Sequence, residues 1–301
     1  MVKKELFLGP LRRIYAITKK YPFRSIPVYL GLAICFGYLS WYFFERLPAR
    51  NWNPAQIKEI GKIGSASSND LRFAVMGDNK ENYPVLEASL RQISREPGIG
   101  FALNLGDLVS VGEERDFQNF IGAVRKNLNI PLITVLGNHD IGERGRGLYC
   151  DIFGAAYYSF QAGRNYFIAL DDADSAGLDE KQFQWLASEL EKAQPYDTRI
   201  ILMHVPPYNP PGFPKRHCLN AKAAGRLMDL LKKYRATYIF AGHIHGYYTG
   251  QWEEIPYVIS GGSGAELMGA DPAHFFYHYI VVNIKNGAVT TELRKVAATT
   301  N

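Results

Sequence analysis

Pro131-Leu132-Ile133-Thr134-Val135-Leu136-Gly137-Asn138-His139-Asp140 is an apolar run that stops at a glycine and then delivers three polar side chains in succession. The β-branched residues Ile133, Thr134 and Val135 favour a buried strand, and Gly137 marks its end. Asn138 offers an amide oxygen, His139 an imidazole and Asp140 a carboxylate. A hydrophobic strand that ends in such a trio suits a site at the carboxyl edge of an α/β sheet.

Four other runs share this design. Leu71–Met76 leads to Gly77-Asp78, and Phe101–Leu105 leads to Gly106-Asp107. Ile200–Met203 leads to His204, and Tyr238–Ala241 leads to Gly242-His243-Ile244-His245. A single Gly-Asp after a strand is usually only a turn. Five apolar runs that each end in Asp, Asn or His point instead to ligands gathered at one sheet edge. Helical spacing fills the intervals: Val85–Arg95, Asp116–Asn127, Asp179–Ala193 and Asn220–Tyr234 each carry apolar residues on one stripe. Tyr157–Gln161 and Tyr166–Leu170 read as a strand pair. After Gly246 the pattern becomes all-β, with strands over Tyr247–Trp252, Pro256–Ser260, Phe275–Asn283 and Val289–Arg294. The class is α/β, with two packed sheets and helices outside them. Gly142–Gly147 reads as a polar flexible loop, Pro206–Leu219 as a long loop, and Gly261-Gly262-Ser263-Gly264 as a turn near the site.

Asp, Asn and His are ligands for hard or borderline divalent metals. A carboxylate that bridges two such ions about 3.5–4 Å apart gives the geometry for displacement at phosphorus. Over roughly residues 70–285 the five motifs, in this order and with His204 inside His-Val-Pro-Pro-Tyr, resemble the calcineurin-like metallophosphoesterase superfamily. The resemblance implies a two-sheet β-sandwich flanked by helices, a four-layer α/β/β/α arrangement, and two divalent ions (Mn, Fe, Zn or Mg). Asp107 would bridge the ions. Asn138, His204 and His243 would complete one site, and Asp78 and His245 would belong to the other. His139 would face the phosphoryl oxygens and protonate the leaving group, with Asp140 orienting its ring. A metal-bridging hydroxide would attack the phosphate ester, a mono- or diester.

The chain departs from the family where a histidine usually follows the first Asp-x: here the triplet is Asp78-Asn79-Lys80. A protonated lysine has no lone pair to offer a metal. Lys80 therefore leaves the first site one ligand short, or reaches the substrate phosphate. Ser110 stands where many members have a second Asp. Arg216 and His217, with Lys215, form a candidate substrate-facing basic patch, whereas His274 and His278 lie outside the motifs. The competing reading is a non-catalytic binding module with a degraded first metal site.

Ile26–Phe44 is a run of 19 residues without a charge, about 28 Å long as a helix, which matches a bilayer core. Residues 1–50 hold nine Lys or Arg and two acids, and seven of the nine precede the run. The positive-inside rule then predicts a cytoplasmic segment 1–25, a transmembrane anchor 26–44, a linker 45–69 and an extracytoplasmic catalytic domain 70–295. A cleaved signal peptide, a buried core helix and an intracellular enzyme are the alternatives. Gln56–Ile63 reads as a short helix on the membrane surface. The remainder carries 25 basic and 27 acidic residues, so no nucleic-acid partner is expected. With no Asn-x-Ser/Thr sequon present, a bacterial periplasmic face is favoured. Cys150 and Cys218 would be free to pair in an oxidising compartment.

Overall fold

The computed structural model describes residues 50–63, 70–174, 177–213 and 216–297. The expected membrane anchor over Ile26–Phe44 lies outside the described residues. Among the described residues no helix is long and apolar enough to cross a membrane.

The elements in chain order are α1 (Trp52–Ile63), β1 (Leu71–Met76), α2 (Tyr83–Arg95), β2 (Phe101–Asn104), α3 (Glu114–Asn127), β3 (Leu132–Thr134), α4 (Arg146–Phe153), β4 (Tyr158–Ala162) and β5 (Asn165–Ala169). Then follow α5 (Glu180–Lys192), β6 (Thr198–Leu202), α6 (Ala221–Lys233), β7 (Tyr238–Ala241), β8 (Tyr247–Trp252), β9 (Ile255–Ser260), β10 (His278–Lys285) and β11 (Ala288–Lys295). They build a five-stranded sheet of order β11-β10-β1-β2-β3 and a six-stranded sheet of order β4-β5-β6-β7-β9-β8. In the first sheet β1, β2 and β3 are parallel. In the second, β5, β6, β7 and β9 are parallel. Every strand expected to deliver a ligand belongs to one of these parallel blocks, so within each sheet the ligand-bearing ends lie on one edge.

Strand alternation sets the layers. On β1, Phe73 and Val75 face the other sheet, while Ala74 and Met76 face helices. Between the sheets Phe73 stacks on Phe101 at 5.1 Å and Phe160 on Phe167 at 4.7 Å, and Phe73 meets Phe167 edge-on at 5.5 Å. Such offset and edge-on contacts are the preferred aromatic geometries. Helices α2, α3 and α4 cover the outer face of the first sheet, and α5 and α6 that of the second. Two mixed sheets flanked by helices agree with the expected sandwich.

Two features differ from the sequence reading. The linker expected over 45–69, with a helix lying on a membrane, contains α1 packed into the fold. Trp52 Nε1 donates to the Leu132 carbonyl at 2.8 Å, and Asn53 exchanges two bonds with the Thr134 backbone. These contacts satisfy the free edge of the short strand β3, which would otherwise stay open to pairing. The flexible loop over Gly142–Gly147 ends within α4, whose Leu148, Tyr149, Ile152 and Phe153 are buried. Cys150 and Cys218, whose pairing the sequence left open, are both free thiols.

Candidate active site

The glycines that precede the ligands are fixed by close backbone approach. A Cβ on Gly106 would lie 2.7 Å from Gly137 N and 2.8 Å from His204 Nδ1. One on Gly137 would overlap the backbone nitrogen of Asp107, and one on Gly242 would lie 2.6 Å from Asp78 Oδ2. Real side-chain atoms do not pack so tightly, so the loops meet only because these positions lack Cβ.

These loops bring the expected metal residues together. His204 Nδ1 faces the Leu105 carbonyl at 2.8 Å. A carbonyl only accepts, so Nδ1 holds the ring proton and Nε2 is a bare lone pair. That lone pair lies 2.9 Å from Asn138 Oδ1, 3.3 Å from Asp107 Oδ1 and 3.3 Å from His243 Nδ1. His243 Nδ1 is itself 2.9 Å from Asn138 Oδ1. Burial pushes the His204 pKa down, and burial followed by the neighbouring His204 brings that of His243 down to about 3. Both rings are therefore neutral at ordinary pH, as metal ligation requires.

Asp78, Asp107 and His245 form the second grouping, with one ligand atom from each within 4.8 Å of the others. His245 Nδ1 donates to the Glu266 carbonyl at 2.7 Å, which leaves Nε2 facing Asp78 Oδ1 at 3.6 Å. Burial, then the Coulomb effect of Lys80, lowers its pKa to about 4. Burial and then Asp107 push the Asp78 carboxyl well up. Burial acts the same way on Asp107, but His204, Lys80 and the backbone N–H of His139 outweigh it and hold the group low.

Asp140 has a different task from the one expected. Its carboxylate is fully buried and accepts from Leu108 N at 2.8 Å, Val109 N at 3.2 Å and Gly137 N at 2.8 Å. It clamps the Asp107 loop to the Asn138 loop. The His139 ring is held instead by the Ser110 carbonyl, which accepts from Nδ1 at 3.0 Å. The assignment of Asp140 as the group that orients His139 is therefore corrected: its two oxygens accept from backbone amides, and the ring is bonded elsewhere.

Three buried groups with related roles, Asp172, Asn79 and Asn104, were not singled out from the sequence. Asp172 accepts from His204 N and Val205 N, both at 2.9 Å, and so fixes the His204 backbone. Asn79 donates to the Leu108 carbonyl and accepts from Asn104. The signal for Asp172 was present, because Tyr166–Leu170 is a further apolar run that ends in Asp171-Asp172.

Lys80 enters the site. Its Nζ lies 3.3 Å from Asp107 Oδ2, an oxygen that is buried and accepts no hydrogen bond. Arg216 and His217 line a cleft of about 490 Å³ beside Asn138 and His243, and Arg146 joins them there. The rings of His217 and His243 are 5.4 Å apart. Lys215 lies outside the described residues. His278 and His274 serve the fold: His278 is bonded to Ser260 and to the Phe276 carbonyl, and His274 stacks on Tyr248 at 4.2 Å.

The chemistry of the donors tests the fit to metal. Around His204 Nε2 are gathered an amide oxygen, a carboxylate oxygen and a second ring nitrogen. Lone pairs packed this closely repel unless a cation lies among them. Asp107, Asn138, His204 and His243 therefore fit a divalent ion. Asp78, Asp107 and His245 offer three ligands with an ammonium already beside the shared carboxylate.

Residues 71–247, well over half of the chain, match the family model described as calcineurin-like phosphoesterase. Purple acid phosphatase 23 of Arabidopsis thaliana is 24% identical over 67% of this chain and 49% of its own length. A probable cyclic nucleotide phosphodiesterase of Rhodopseudomonas palustris is 27% identical over 59% of this chain and 68% of its own. The chain thus spans about half the length of the first of these relatives. Among solved structures, a purple acid phosphatase from yellow lupin seeds has the same fold, with a TM-score of 0.61 and 18% identity over 77% of this chain and 52% of that one.

Proposed function

The chain belongs to the calcineurin-like phosphoesterase family, and from that premise we propose that it is a metal-dependent phosphohydrolase acting on phosphate mono- or diesters. One observation carries this reading: at the carboxyl ends of strands from both sheets, the bare Nε2 of His204 meets Asn138 and Asp107 oxygens within 3.3 Å. Asp107, Asn138, His204 and His243 would hold one divalent ion, and Asp78, Asp107 and His245 are the candidates for the other. Such ions, when bound, supply positive charge to a phosphoryl oxygen and make water a nucleophile near neutral pH.

The remaining work falls to the chain's own groups. His139 Nδ1 gives its proton to the Ser110 carbonyl bond, so only the cationic ring, with a second proton on Nε2, could protonate the leaving oxygen. The His139 backbone N–H donates to Asp107 Oδ1 at 2.9 Å, which ties the acid to the metal-binding carboxylate. Arg146, Arg216 and His217 line the neighbouring cleft and would receive the rest of the ester. The uncharged run Ile26–Phe44 and the basic residues before it support an anchor with the site on the extracytoplasmic side, periplasmic if the source is bacterial.

The test is hydrolysis by the full chain, stripped with chelator and reloaded with Mn, Fe, Zn or Mg. p-Nitrophenyl phosphate and bis-p-nitrophenyl phosphate serve as mono- and diester. Turnover that needs metal and is abolished in Asp107→Asn is expected. A metal-loaded chain that binds phosphate but turns over neither ester would favour the binding-module reading, whose support is the ammonium 3.3 Å from Asp107 Oδ2. A reporter fused after Asn301 that works only in the cytoplasm should be silent, and activity there would reject the orientation.

A further inference from the structure

Lys80 sits on a loop built to hold it. Asp78, Lys80 and Glu81 have φ of 60°, 40° and 56°, three side-chain-bearing residues in the left-handed region within four positions. Such backbone is costly and persists where the surroundings enforce it, most often at functional sites. The enforcement is visible on every side. Lys80 N donates to the Asp107 carbonyl at 3.2 Å, and Ala265 N donates to the Asp78 carbonyl at 2.7 Å. Asn79 is buried and bonded to Leu108 and Asn104. The Glu81 carboxylate accepts from both the backbone N–H and the hydroxyl of Ser110. A surface lysine needs none of this.

The strained loop directs the side chain inward. Lys80 is 17% exposed, and its ammonium faces the one Asp107 oxygen that accepts no hydrogen bond. The same charge acts on Asp78 and His245, the other two members of the three-ligand grouping. In that grouping both oxygens of Asp78 already accept from His243 N at 3.0 Å. A second divalent ion there would meet three ligands, one of them spoken for, and a fixed positive charge. The set formed by Asp107, Asn138, His204 and His243 keeps its Asp107 Oδ1 on the side away from this contact.

We propose that Lys80 is the site's resident second cation: the chain holds a single divalent ion on Asp107, Asn138, His204 and His243, and the Lys80 ammonium stays beside Asp107 to bind a phosphoryl oxygen. The metal count stands independently of catalysis; the phosphoryl contact rests on the phosphohydrolase reading. This makes Lys80 a catalytic residue rather than a defect in a two-metal site. Glu81 and Ser110 act through it and through His139 as positioning residues.

The experiment counts metal in the full chain after equilibration with excess Mn²⁺. Wild type should retain one Mn²⁺ per chain, with the electron paramagnetic resonance signal of an isolated ion. Lys80→His, which supplies a ring nitrogen, should retain two ions with a spin-coupled signal. Lys80→Gln removes the charge without adding a ring. It should keep the one tight ion and bind inorganic phosphate at least tenfold more weakly than Mn²⁺-loaded wild type. Thermal melting confirms that each variant is folded, and either variant alone carries the test if the other is not. Two ions in wild type, or none, overturns the proposal, as does a second ion absent from folded Lys80→His or phosphate affinity unchanged in Lys80→Gln. Ester hydrolysis by wild type is read separately. One ion and bound phosphate without turnover would sink the hydrolase reading and leave the metal count standing, whereas turnover with two ions would do the reverse.

Discussion

Replacing Asp140 by alanine should unfold the chain more readily before it does anything specific to chemistry. The carboxylate is fully buried and is the acceptor for three backbone amides, those of Leu108, Val109 and Gly137. Leaving a buried donor without an acceptor costs about 1–3 kcal/mol, so three give about 3–5 kcal/mol once water entering the vacated space is allowed for. In a domain of this size that corresponds to a fall in melting temperature of about 6–20 °C. Asp140→Asn keeps an oxygen for Leu108 and Val109 but turns an NH₂ toward Gly137 N, so it should lose about a third to a half as much. The assay is thermal melting of the metal-free full chain, followed by metal titration of each variant at a temperature where all are folded. Metal affinity should weaken in proportion to the stability loss, because Asp140 links the Asp107 and Asn138 loops. A melting temperature near wild type, together with slower turnover and a shifted pH–rate profile, would refute this reasoning and return Asp140 to the His139 ring.

His139→Ala should slow turnover by about 10²–10⁴-fold, the usual contribution of a general acid, while metal content measured by mass spectrometry stays unchanged. Loss of metal in step with activity would place His139 among the ligands. Gly137→Ala should abolish metal binding even if the chain folds, since its Cβ would overlap Asp107 N; an intact calorimetric metal isotherm would contradict the packing. His278 is buried, and that burial brings its pKa down to about 4 from an ordinary 6.5. The unfolded chain therefore takes up a proton that the folded chain refuses. Stability is full above pH 6.5 and falls as pH drops toward 4, by about 3 kcal/mol for this ring. Melting curves of wild type and His278→Gln should converge on acidification over that window, and parallel pH profiles would rule the ring out.

The sequence alone determined what each strand end carries. Five apolar runs ending in Asp, Asn or His placed Asp78, Asp107, Asn138, His204 and His243 at strand termini before any contact was known. Periodicity is a local property, and so is the chemistry of a side chain. Which atom faces which is not local. That Asp140 spends its oxygens on Leu108, Val109 and Gly137, leaving His139 to the Ser110 carbonyl, depends on two loops interlocking across glycines. Asp172 escaped notice because its partner, the His204 backbone, lies on another strand. Helix α1 read as a short membrane-surface helix within a linker because its stripe is short, and only the open edge of β3 gives Trp52 and Asn53 something to satisfy. Lys80 shows the division most sharply. The sequence marked it as out of place beside Asp78, but whether its charge pointed to solvent or to metal turned on three left-handed residues and the carbonyl of Asp107, which only the folded chain brings within reach.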